Sequence, residues 1–221
     1  SGLAVATTLA VQSRREVALL QELEPEHPEA KRILQTSATS GEASALALLV
    51  QYRNTRKLAA KTPVFHFWNP LPSDEQLAVA FLNPDPPAAY GQQLQPWNAM
   101  GQPAWQALRA SELGFDLHRM IFALFALGKE PKTCPTADLQ RILTLMLDWD
   151  RHHTAWPDWD ELAWNDDTVS NRTMSMLHLE SALGHHPTVA AADHLALLGV
   201  LLRQARWLMR QDRVNLWTNH G

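Results

Sequence analysis

Apolar side chains recur along most of this chain at the spacing of an α-helix. One stripe follows the i, i+3, i+4, i+7 rule and consists of Leu117, Met120, Ile121 and Leu124. Two more stripes consist of Leu139, Ile142, Leu143, Met146 and Leu147, and of Val169, Thr173, Met176 and Leu177. Strand signals are absent, so the sequence predicts an all-α fold of paired antiparallel helices.

Residues that start or stop helices divide these stripes. Pro28 suits the first turn of a helix that runs through Leu34, because its missing N–H costs nothing there, and Gly41 breaks the chain before a helix over 42–60. Thr136 is predicted to cap the helix whose stripe begins at Leu139, and Thr188 to start the longest helix.

Eight prolines between residues 63 and 103 break any long helix there and predict a loop-rich segment. This segment is too apolar for a solvated linker, because Phe65, Phe67 and Trp68 lie in it. With 46% apolar residues over 221 positions, the chain can bury a substantial core. We therefore expect one helical domain over 1–221.

Charge and composition exclude several classes of function. The net charge of −4 gives no surplus for phosphate binding, so nucleic acid is not an expected partner. No run approaches the roughly 20 apolar residues that a membrane span requires. Cys134 is the only cysteine, and the pairs His152-His153 and His185-His186 lack the i, i+4 spacing that aims two imidazoles at one ion. We expect no metal and no cofactor.

Five segments occur in a distinctive order. They are ASALALLVQYRNTR, WQALRASELGFDLHRMIFALFALGKEP, DLQRILTLMLDWDRHHTAWP, AWNDDTVSNRTMSMLHLESAL and the terminal TNHG. In this order they resemble the N-terminal domain of heparinase II/III-type polysaccharide lyases, over residues 40 to 221. The resemblance lies in the Ala/Leu-rich helices, the Trp and Arg at helix ends and the final Asn-His-Gly.

The resemblance implies an incomplete (α/α) toroid of antiparallel helical hairpins that binds an acidic polysaccharide. It also implies a larger parent protein, in which a C-terminal β-sandwich domain, missing here, follows the toroid. The parent would be an enzyme that cleaves a uronate-containing glycan by β-elimination, whereas this chain alone would be inactive or nearly so. Such lyases usually meet their polymers in the bacterial periplasm or outside the cell.

The chemistry of β-elimination explains which residues the resemblance selects. The C5 proton beside a uronate carboxylate is a very weak acid, so the carboxylate must be neutralised while a base removes the proton. By motif position, Asn219 would contact the carboxylate and His220 would assist, whereas the family's catalytic Tyr has no counterpart here. The alternative for these two residues is a helix exit that ends at Gly221.

A substrate-binding subsite is the second expectation, with Trp164 and Trp217 stacking on sugar rings and Arg172 meeting a carboxylate. The alternative for the segment around Trp164 is a helix start, in which Asp166 and Asp167 compensate the helix dipole and Arg172 pairs with one of them.

Two other classes of function remain open. One is a non-catalytic helical module that binds proteins or carbohydrates, an interpretation that would gain if Trp164 and Trp217 were buried with no continuous groove between them. The other is a glycoside hydrolase on a helical toroid, which needs a pair of suitably placed carboxylates; Asp158, Asp160 and Glu161 are the candidates.

Overall fold

The computed structural model describes residues 14, 16–59, 117–127, 133–153, 163–186 and 188–210. These residues contain helices and no strand, so the all-α prediction is confirmed for them. The principal helices are α1 (Pro28–Ser40), α2 (Glu42–Ala59), α3 (Phe122–Leu127), α4 (Thr136–His152), α5 (Asp166–Leu183) and α6 (Ala191–Leu208). The predicted loop-rich segment 63–103 and the acidic residues Asp158, Asp160 and Glu161 lie outside this description.

Helix α1 begins at the predicted residue but extends to Ser40, beyond the predicted end at Leu34. Pro28 is the first residue of α1, and Gly41 ends it with a φ of 86°, a left-handed conformation that glycine adopts without steric cost. Elsewhere the starts are shifted. Helix α4 has Pro135 rather than Thr136 at its N-cap, and α6 begins at Ala191 rather than at Thr188.

The stripe around Met120 is buried as predicted, but it does not lie on one continuous helix. Residues 117–119 are helical, Met120 has a φ of 58°, and the helix resumes as α3. A positive φ at a residue with a side chain is uncommon and interrupts a right-handed helix. The side-chain pattern therefore correctly predicted that these residues are buried but wrongly predicted one continuous helix. The pattern carries no information on the backbone of Met120.

Polar contacts at opposite ends of α5 fix its direction relative to α6. Near the start of α5, Arg172 hydrogen-bonds Gln204, which lies near the end of α6. Near the end of α5, Glu180 contacts His194, which lies near the start of α6. Helices α5 and α6 are therefore antiparallel.

Helix α4 runs parallel to α6. Near their starts, Gln140 Nε2 donates a hydrogen bond of 3.3 Å to Asp193 Oδ2, and near their ends Arg203 forms an ion pair with the buried Asp150. Each of α4, α5 and α6 packs against the other two. The three form an up-down-up group around a shared core.

Two apolar cores flank α6. The larger lies among α3, α4, α5 and α6 and contains Trp149, Met176 and Trp207. The smaller joins α1, α2 and the helical residues 16–21, and it includes Leu195 of α6. Because Leu198 packs against both cores, α6 connects the N-terminal hairpin to the three-helix group.

Cys134 is buried just before α4, where its Sγ lies 3.9 Å from the carbonyl oxygen of Ala126. Burial raises the pKa of the Cys134 thiol above its ordinary value, and the negative charge of Asp138 adds to this rise. A hydrogen bond with the backbone of Leu139 opposes it. The thiol is therefore held in its neutral, weakly nucleophilic form.

Candidate functional site

Three tryptophans and one arginine meet where the start of α5 faces the ends of α4 and α6. We call Trp149, Trp164, Trp207 and Arg172 the tryptophan–arginine cluster. The ring centroids of Trp149 and Trp164 are 5.6 Å apart, and those of Trp164 and Trp207 are 6.1 Å apart. The Arg172 guanidinium carbon lies 3.9 Å from the Trp149 ring centroid and 5.1 Å from that of Trp164, within the range of cation–π attraction.

Arg172 is fully buried, and hydrogen bonds hold its guanidinium on two sides. Its Nε and Nη2 donate to Gln204 Oε1 at 3.2 and 2.9 Å, and its Nη1 donates to the carbonyl oxygen of His118 at 2.9 Å. Because arginine only donates, these bonds orient the Gln204 amide with its oxygen toward Arg172. Gln204 Nε2 is buried and has no hydrogen-bond partner among the described residues.

The interruption at Met120 explains one of these bonds. The last carbonyl groups of a helix have no partner further along that helix. His118 lies just before the interruption, and its carbonyl oxygen accepts from Arg172. The backbone change that the sequence did not predict thus makes part of the arginine's binding site.

Two histidine rings complete the surroundings of Trp149. Trp149 Nε1 donates a 3.0 Å hydrogen bond to His118 Nδ1, so a neutral His118 carries its ring proton on Nε2. The His153 ring stacks on Trp149 with an interplanar angle of 7° and a centroid distance of 4.6 Å. Trp149 is therefore held by its indole N–H and by its ring faces.

The start of α5 is a capped helix start, as the alternative interpretation predicted. Asn165 is the N-cap, and its side chain accepts from the backbone N–H of Thr168 at 2.9 Å. Asp166 and Asp167 lie in the first turn, where negative charge is favourable. Asp167 pairs with Arg119 at 3.4 Å. The hydrogen bonds of Arg172 described above go to Gln204 and to the carbonyl oxygen of His118, and its pairing with one of these aspartates stays a prediction.

A second buried polar group lies at the opposite end of the α5–α6 interface. Glu180 Oε1 is 3.3 Å from His194 Nε2 and 3.2 Å from Arg53 Nη2 of α2. Glu180 and His194 are buried, whereas the Arg53 side chain is 40% exposed. This group connects the N-terminal hairpin to α5 and α6.

The structure brings two predicted substrate-binding residues together and describes none of the other predicted site residues. Trp164 is 7% exposed and Arg172 is 0% exposed, so both lie within the core. Trp217, Asn219 and His220 lie beyond residue 210, where the description ends. Contact of these residues with a substrate stays a prediction.

Sequence reasoning missed Trp149, Gln204 and His118 as partners of Arg172. A signal existed for Gln204, because it follows Leu197 and Val200 at helical spacing and so falls on the buried face of α6. Arg172 occupies an equivalent place between Val169 and Met176. A polar residue on an apolar stripe indicates a buried polar contact, and two of them on successive helices indicate a pair.

Within the described ranges, no group of three or more His, Cys, Asp or Glu side chains could hold a metal ion. In the same ranges, no helix has the length and apolar character needed to cross a membrane. Neither a family model, a curated protein nor a solved structure matches this chain. The resemblance to heparinase II/III-type lyases therefore rests on the ordered segments alone.

Proposed function

We propose that this chain is the N-terminal helical part of a polysaccharide lyase that cleaves a uronate-containing glycan by β-elimination. In this proposal the helical hairpins belong to an incomplete (α/α) toroid, and the parent protein carries a β-sandwich domain and acts in the periplasm or outside the cell. The antiparallel packing of α5 and α6 supports such an arrangement.

One observation carries the proposal, namely the place where α6 ends. Trp207, in the last turn of α6, packs beside Trp164 at the start of α5. The chain continues from this point toward Trp217, Asn219 and His220. The two segments that the resemblance selects for substrate contact thus start from the same end of the three-helix group.

The proposed chemistry assigns separate tasks to the terminal residues. Asn219 donates a hydrogen bond to the uronate carboxylate, which stabilises the charge that develops when the C5 proton leaves. His220 assists in the proton transfer, because imidazole exchanges protons near neutral pH. Trp217 presents its ring surface to the sugar, and Trp164, which is 7% exposed, offers only its exposed edge.

The test follows the unsaturated uronate that β-elimination leaves at the new chain end. The natural protein that contains this chain is offered heparan, hyaluronan, alginate and bacterial uronate polymers, and the ultraviolet absorbance of the product is recorded. We expect a rise with at least one glycan and a loss of about 10²- to 10³-fold in rate for Asn219→Ala.

Asn54→Ala in α2 is the matched control and should retain the rate. No absorbance rise with any of the four glycans would contradict lyase activity. An equal loss of rate in both variants would contradict the role of Asn219.

The burial of Trp164 favours a second candidate, a non-catalytic helical module that binds proteins or carbohydrates. In that case Trp164 serves packing, and its substitution destabilises the fold without a specific effect on binding. Calorimetric binding of acidic oligosaccharides without formation of an unsaturated product would support this candidate over the lyase.

A further inference from the structure

We propose that Arg172 and Gln204 are positioning residues that fix the end of α6, and through it the chain that leads to Asn219 and His220. This inference rests on the proposed function for its catalytic consequence. It gives Arg172 a role different from contact with a substrate carboxylate.

The contacts of Arg172 support a role beneath the site. Its Nε, Nη1 and Nη2 all donate to atoms of the protein, and its flat face lies over Trp149. Gln204 Oε1 occupies the fork formed by Nε and Nη2, so a substrate carboxylate could use that fork only by displacing Gln204. Because Arg172 is 0% exposed, that exchange would also require the cluster to open.

The contacts of Gln204 explain how Arg172 acts on α6. Gln204 and Trp207 lie one helical turn apart, in the last two turns of α6. Gln204 is bonded to Arg172 of α5, and Trp207 packs beside Trp164. Helix ends fray unless they are packed or bonded, so these two contacts keep the last turns of α6 helical.

The consequence for catalysis follows from the order of the chain. Asn219 and His220 follow α6 in the chain, and the last turn of α6 fixes where that following segment starts. A displacement of about 1 Å in a catalytic group costs roughly 10²-fold in rate. Loosening the end of α6 should therefore lower kcat without removing any contact to substrate.

The first measurement is amide hydrogen exchange at residues 204–210 in the natural protein and in Arg172→Lys and Gln204→Leu. Lysine cannot reproduce the planar, forked contacts of arginine, and leucine provides no acceptor. We expect both variants to speed exchange there about tenfold, the factor that corresponds to one net hydrogen bond, while amides of α2 keep their protection. Unchanged exchange at 204–210 in both variants would overturn the inference.

Gln204→Glu tests the same contact by rescue. Glutamate keeps an acceptor toward Arg172, and the amide nitrogen that it loses has no hydrogen-bond partner in the described part of the chain. It should therefore retain the slow exchange that Gln204→Leu loses. Arg32→Lys and Gln51→Leu, at exposed positions of α1 and α2, are the controls for the two chemical changes.

The second measurement separates positioning from substrate contact. Steady-state kinetics on the cleaved glycan should show kcat lowered about 10- to 100-fold in Arg172→Lys and in Gln204→Leu, with KM within about twofold. Binding affinity is also measured for the acidic oligosaccharide and for the same oligosaccharide with its carboxyl groups reduced to neutral alcohols. The ratio of these two affinities should be the same in both variants as in the natural protein. If only Arg172→Lys loses this discrimination, about tenfold or more, Arg172 contacts the carboxylate and the inference is wrong.

The failure of this inference can be distinguished from the failure of the proposed function. If the natural protein cleaves no glycan, the lyase proposal fails, and the exchange measurement still decides whether Arg172 and Gln204 fix the end of α6. If glycan is cleaved while both variants retain kcat and slow exchange, the lyase proposal stands and the positioning role is excluded.

Discussion

The two ends of the α5–α6 interface hold buried charged side chains of opposite sign in different surroundings. At one end Arg172 lies over indole rings and donates to a side-chain amide and a backbone carbonyl. At the other end Glu180 contacts the Arg53 guanidinium and the His194 ring. The cation thus relies on aromatic faces and neutral acceptors, and the carboxylate on basic side chains.

The difference follows from the hydration and geometry of the two groups. A guanidinium is planar and weakly hydrated, so aromatic faces replace much of its water at small cost. A carboxylate offers only acceptors and loses strong hydration, so burial requires donors that carry or share positive charge. As a consequence, Glu180 of α5 contacts Arg53 of α2, and this contact connects the two cores.

The strongest test of this comparison removes the buried cation. Arg172→Ala should lower the free energy of unfolding by about 3–5 kcal/mol, because it leaves a cavity beside Trp149 and removes the donors to Gln204 and His118. Urea denaturation measures the loss. Arg32→Ala, at an exposed surface ion pair, should stay within about 0.5 kcal/mol of the natural protein. A loss below about 1 kcal/mol for Arg172→Ala would show that the cluster does not depend on its cation.

Neutralising the buried carboxylate should have a smaller effect. Glu180→Gln keeps the size of the side chain and one acceptor oxygen, but it removes the negative charge that both Arg53 and His194 contact. We therefore expect the free energy of unfolding to fall by about 1.5–3 kcal/mol. Thermal and urea denaturation provide the measurement. If this variant is as stable as the natural protein, the attraction of Arg53 and His194 to the Glu180 carboxylate only offsets the cost of removing that carboxylate from water.

The smallest effect is expected at the exposed side of the same group. Arg53→Ala should cost about 0.5–1 kcal/mol, because its side chain is 40% exposed and water screens the pair. The loss should shrink as salt is added. A double-mutant cycle with Glu180→Gln isolates the pair, and a coupling energy near zero would assign the stability at this end to His194.

Local sequence signals predicted the helix boundaries that depend on backbone chemistry. The missing N–H of Pro28 and the left-handed backbone of Gly41 act within a few residues, and α1 begins and ends where they require. The start of α5 was anticipated in the same way from Asp166 and Asp167. Such signals need no partner from elsewhere in the chain.

The sequence predicted less completely the features that depend on packing against another helix. Leu177 was predicted to share a buried face with Val169 and Met176, but it is 41% exposed, while Arg172 is buried instead. Periodicity identifies the residues that share a face, whereas the positions of α3, α4 and α6 decide which face of α5 is covered. The prediction for Leu177 is wrong for that reason.

The predicted site shows the same division. Trp164 and Arg172 were selected from the sequence as neighbours of a substrate, and the Arg172 guanidinium carbon lies 5.1 Å from the Trp164 ring centroid. Their burial beneath Trp149 and beside Gln204 could not be read from either segment, because the residues that cover them come from other helices.

The sequence by itself determined that the described parts of this chain are helical and where several helices begin, because capping residues and apolar spacing act over a single turn or a few turns. Only the tertiary structure decided that α5 and α6 are antiparallel, that the backbone turns at Met120, and that Arg172 packs against tryptophan rings. These outcomes depend on contacts between residues far apart in the chain, and their free energy comes from the desolvation and hydrogen bonding that packing imposes.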